Sequence, residues 1–74
     1  MLVDVPDFYV IMVVVPDETG KLVATNPERF YVGSREGWTY QLSNAAKYYR
    51  RDYAEMLALR LTDENQMCLA TEVY

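Results

Sequence analysis

The run Phe8-Tyr9-Val10-Ile11-Met12-Val13-Val14-Val15 constrains this chain more than any other feature. It is β-branched and aromatic, too short for an ordinary helix, and bracketed by Pro6 and Pro16, so it reads as a strand. Its residues are apolar at every position instead of alternating, which predicts a central strand covered on both faces. The run is also far shorter than the ~20 residues that a membrane-crossing helix requires. The rest of the fold has to be arranged around it.

Pro16-Asp17-Glu18-Thr19-Gly20-Lys21 is turn chemistry, with Gly20 free to adopt a positive φ, so residues 22–25 are expected back as an antiparallel partner. Asn26-Pro27-Glu28-Arg29 breaks that strand. Phe30-Tyr31-Val32-Gly33 resumes extended structure, and Ser34-Arg35-Glu36-Gly37 turns it toward Trp38-Thr39-Tyr40-Gln41. Beyond Leu42 the pattern changes. Ser43 is a good N-cap, and Ala46, Tyr49, Tyr53, Leu57 and Leu61 follow steps of three and four with no Gly or Pro between them. That spacing predicts one amphipathic helix of about five turns; the alternative is a break at Arg50 and Arg51, with Asp52 opening a second segment. Asp63-Glu64-Asn65 ends the helix, and residues 67–74 close the chain as a strand.

The expected fold is therefore α+β: a β-meander, a helix and a last strand, giving an antiparallel sheet of three to four strands with one helix packed on one face. No linker or composition shift divides residues 1–74, so they form a single domain. One helix covers one face of a sheet, and the first strand is apolar on both. An apolar strip on the other face is thus expected to need a partner or a second copy.

Size sharpens that expectation, because 74 residues bury only about 60% of their unfolded surface and such cores often lean on staples. A single cysteine, Cys68, allows no disulfide within the chain, and the absence of histidine removes a common zinc ligand. The start Met1-Leu2-Val3-Asp4 is acidic and lacks the basic opening of a signal peptide, so a cytoplasmic location is expected. A net charge of −4, spread along the chain, disfavours nucleic acid and anionic membranes.

Residues 31–73 also carry a resemblance. Tyr31-Val32-Gly33, Gly37-Trp38-Thr39, Leu42-Ser43-Asn44-Ala45 with Lys47 and Tyr49, then Tyr53-Ala54-Glu55 and a closing Thr71-Glu72-Val73 resemble small phage- and mobile-element-encoded proteins of the β-meander, helix, β type. Arg50-Arg51-Asp52-Tyr53 departs from that pattern, which has a Ser/Thr cap and an acidic pair before the main helix. The resemblance carries over no catalytic residue. It implies an accessory or anti-defence protein that blocks or redirects a host protein.

Catalytic chemistry finds little support in the residues. Without histidine no Ser-His or Cys-His pair can be assembled. Cys68, between Met67 and Leu69, reads as a buried small hydrophobe rather than a reactive thiol. Asp17/Glu18 and Asp63/Glu64 lie in turns, where acids are ordinarily solvated, and neither pair has the ligand spacing of a calcium loop. Gly20, Gly33 and Gly37 match no phosphate-cradling motif. No enzyme activity, cofactor or metal is expected.

Recognition has a better candidate, since Lys47-Tyr48-Tyr49-Arg50-Arg51-Asp52-Tyr53 mixes the aromatic and cationic side chains enriched at interface hot spots. The expected partner-binding residues are Lys47, Tyr48, Arg50, Arg51 and Glu55, with Tyr48 and Arg51 on the outer side of the helix. The competing account is a solvated helix face held by i,i+4 ion pairs. The expected function is a protein-binding module that inhibits or modulates a host protein. The alternatives are a homodimeric assembly subunit and a nucleic-acid accessory protein using Lys47, Arg50 and Arg51, whose three cations make a small footprint.

Overall fold

The structure, a computed structural model, describes residues 5–33 and 37–74. The acidic start at residues 1–4 and the turn expected at residues 34–36 lie outside the described residues. Strand β1 spans Phe8–Pro16, β2 Leu22–Ala24, β3 Phe30–Gly33, β4 Gly37–Thr39 and β5 Met67–Val73; helix α1 spans Arg51–Leu61. The α+β expectation holds, with five strands in place of three to four, because both three-residue strands, β2 and β4, are paired.

β1 is central, as its apolar run predicts. β5 pairs with it antiparallel from Phe8↔Val73 to Val14↔Met67. Its other edge is shared end to end: β2 pairs at residues 14–16, β3 at Met12↔Phe30, and Tyr48 forms an isolated bridge with Tyr9. The amides of Tyr9 and Val13 donate to the carbonyls of Tyr48 and Arg29 on that side. By the alternation of an antiparallel ladder, the even-numbered residues of β1 therefore bond to β5. β3 returns to β1 instead of pairing with β2, so the strands depart from plain meander order.

The first turn forms as its chemistry predicts. Oδ1 of Asp17 accepts from the Thr19 amide at 2.8 Å, the Thr19 hydroxyl at 2.7 Å and the Lys21 amide at 3.0 Å. Gly20 takes a φ of 87°, a left-handed conformation that costs glycine nothing.

Both faces of β1 are filled. On one, Ile11, Val13 and Cys68 pack with Ala58, flanked by Tyr31, Trp38, Leu57 and Leu61. On the other, Val10, Met12 and Val14 pack with Phe30 and Ala45, flanked by Phe8, Ala24 and Val73. The apolar strip expected to be bare along β1 is thus covered by the chain itself. Exposed apolar side chains remain at the end of β1, where Val15 is 43% exposed, and on β5, where Met67 and Leu69 are each 41% exposed.

The helix is shorter than its periodicity predicts. Leu42–Asn44 is a single 3-10 turn, and α1 begins only at Arg51, at the break read as the alternative. Between them the chain is tied to the sheet: the Ala46 amide donates to Tyr31, and Tyr48 exchanges two hydrogen bonds with Tyr9. Backbone groups committed to β1 cannot also close helical turns, so the sheet edge overrides the helical spacing. The face of α1 that meets the sheet shifts accordingly to Ala54 and Ala58, with Leu57 and Leu61 half-buried. Tyr49 and Tyr53, expected on that stripe, are 73% and 48% exposed.

Candidate functional site

The expected partner-binding residues fall on two different elements. Lys47 and Tyr48 belong to the extended segment before α1, while Arg50 is the N-cap residue of α1, and Arg51 and Glu55 lie in its first turns. Tyr48 does not face outward from a helix. It is half-buried against the Ile11 cluster, its ring centroid 5.7 Å from that of Tyr53. Burial raises the pKa of its phenol, and the neighbouring Tyr31 and Tyr53 add to the effect.

The cations of this segment are engaged locally. Arg50 holds Asp52 at 2.7 Å and Arg51 holds Glu55 at 2.9 Å. The Arg50 hydrogen bond is the main cause that lowers the pKa of Asp52, and the Glu55 hydrogen bond is the main cause that raises that of Arg51. The Lys47 ammonium stands 5.4 Å from the centre of the Phe8 ring. Such exposed pairs are weak individually, and each sets a carboxylate directly beside its guanidinium.

A second surface was not legible as a site in the sequence. Thr62, the C-cap of α1, is half-buried; its hydroxyl donates to the Ala58 carbonyl at 3.0 Å and accepts from the Cys68 amide at 3.0 Å. Asp63 continues the closure, its amide donating to the Gln66 carbonyl and its carboxylate accepting from the Gln66 amide. These contacts complete the outer edge of β5 at residues 66 and 68. Two residues further on they stop. The alternation that turns the Cys68 amide outward also turns out the amides and carbonyls of Ala70 and Glu72, and these make no hydrogen bond among the described residues.

Beside this edge runs a groove of about 390 Å³ between Glu55, Ala58 and Leu59 on the helix side and Cys68, Leu69 and Ala70 on the strand side. Leu59 is 76% exposed there. A strand edge with unsatisfied backbone groups next to apolar side chains can hydrogen-bond an extended chain and cover part of its side chains. The sequence signal was faint: Leu59 is an apolar residue off the expected helical stripe, and residues 67–73 contain no Pro, Gly, Lys or Arg.

Cys68 is 3% exposed, with Sγ 3.7 Å from the Leu61 carbonyl, and burial pushes its thiol pKa up. Both properties disfavour the thiolate. Among the described residues no group of three or more potential ligands could hold a metal ion, and no helix is long and apolar enough to cross a membrane. No protein-family model matches the chain, and neither a curated protein nor a solved structure does.

Proposed function

We propose that this chain works by binding protein, taking an extended segment as an additional strand on β5. One observation carries the reading: the outer edge of β5 is closed by Thr62 and Asp63 at residues 66 and 68 but left open at Ala70 and Glu72, beside the α1 groove. Strand addition draws affinity from backbone hydrogen bonds and specificity from alternate side chains, so it requires no catalytic group. The phage-type resemblance of residues 31–73 supplies the further proposal that the chain inhibits or redirects a host protein. The local pairing of Arg50 and Arg51 with Asp52 and Glu55 favours a protein over a nucleic acid.

Selection of eight-residue peptides from a random display library tests the reading. The expected result is a set of binders with alternating apolar residues, whose affinity falls at least tenfold on the variant Ala70→Pro. That change removes an outward amide while sparing the bonds between β1 and β5, a placement that edge strands tolerate. Failure to select any binder, or equal binding to a folded Ala70→Pro variant, overturns it.

A further inference from the structure

We infer that the strand taken up by the β5 edge is β5 of a second copy of this chain, joined antiparallel about a two-fold axis that passes through Thr71. This rests on the strand-addition reading and names its occupant.

The first support is self-complementarity. With the axis at Thr71, Ala70 of one copy faces Glu72 of the other, and the reverse. The open backbone groups of these residues then form four hydrogen bonds in two hydrogen-bonded pairs. Thr71 meets its own counterpart across the axis, a favourable cross-strand pairing. On the same face, Leu69, 41% exposed, meets the half-buried Val73 of the other copy, so each seam side covers an apolar side chain. Glu72 faces Ala70 and not another Glu72, and it lies close enough to Arg51 to stabilise that cation. The register therefore brings no like charges directly opposite. Above the seam, Leu59 lines the helix side of the groove.

The second support is the edge itself. Proteins blunt free edges with Pro, Lys, bulges or a covering loop, but the stretch Met67-Cys68-Leu69-Ala70-Thr71-Glu72-Val73 carries neither Pro nor Lys, and its loop cover ends at Cys68.

Sedimentation equilibrium of the full chain between about 1 and 500 µM tests the inference. A species of twice 8.6 kDa is expected to appear with concentration. Because each copy carries a net charge of −4, its dissociation constant should fall as salt is raised. Thr71→Lys and Thr71→Glu should each weaken self-association at least tenfold by placing like charges on the axis. Mixing the two should restore a heterodimer, and circular dichroism checks that each variant is folded. Ala70→Pro provides a second disruption that introduces no charge. A strict monomer at 500 µM overturns the inference, as does a dimer indifferent to all three changes. If the chain is monomeric but still binds displayed peptides, only the occupant is wrong. Loss of both behaviours removes the strand-addition reading as well.

Discussion

Val10 and Ile11 have no solvent exposure, although they are neighbours whose side chains point to opposite faces of β1. Each therefore belongs to a different packed cluster, and a chain of 74 residues depends on both. Ile11→Ala is expected to cost about 2–5 kcal/mol and Ile11→Val about 0.5–1.5 kcal/mol. Against a total of roughly 4–11 kcal/mol for this length, the first consumes much of the stability, and urea titration distinguishes the two. Cys68 gives a second residue-scale expectation. Native protein should react with an aromatic disulfide reagent many times more slowly than a free thiol, and addition of denaturant should abolish the difference. Rapid reaction of folded protein at neutral pH would contradict its burial. That burial was legible from its apolar flanks on a predicted strand. The half-burial of Tyr48 was not, because its position depends on a bridge to Tyr9, 39 positions earlier in the chain.

At the scale of elements, α1 is fastened to β5 by a hydroxyl. Thr62 donates to the last turn of the helix and accepts from the Cys68 amide, so Thr62→Val keeps the shape and deletes both bonds. Leaving a partly buried amide without its acceptor is expected to cost about 1–3 kcal/mol. Thermal melting of the variant should show it, while Thr62→Ser should recover most of the loss. The helix was legible only in part. Its C-terminal half follows the apolar spacing through Leu57 and Leu61, and Asp52 and Arg60 stand at the ends where the helix dipole favours them. Its start was not, because residues 45–50 have acceptable helical propensity but find sheet partners in Tyr31 and Tyr9. Propensity is a weak preference, and tertiary hydrogen bonds override it.

For the whole molecule, pH dependence follows from what titrates. There is no histidine, so stability should be nearly flat between about pH 5 and 8. On the acid side, the Thr19 hydroxyl leads the hydrogen bonds that lower the pKa of Asp17, as the Arg50 hydrogen bond does for Asp52. A carboxyl group whose pKa is lower folded than unfolded adds stability above its ordinary value near pH 4, and that contribution is lost as pH falls through the folded value. Chemical denaturation at a series of pH values should therefore show a decline below about pH 4, shallower in the double variant Asp17→Asn/Asp52→Asn. Both carboxylates are exposed, so the decline should be small and reduced by salt.

The sequence by itself determined the α+β class, the central strand 8–15, the Gly20 turn and the burial of Cys68, because each depends on local chemistry or on the periodicity of a single segment. The tertiary structure decided which backbone groups would be shared between distant segments. That choice delayed the start of the helix to Arg51, turned Tyr48 into a bridge, and filled both faces of β1 with Phe30 and Ala45 on one side and Ala58 on the other. It also closed the β5 edge at Cys68 and left it open at Ala70 and Glu72. An edge exists only in relation to the strands beside it, and periodicity within one strand records which face is apolar but not which neighbour is missing.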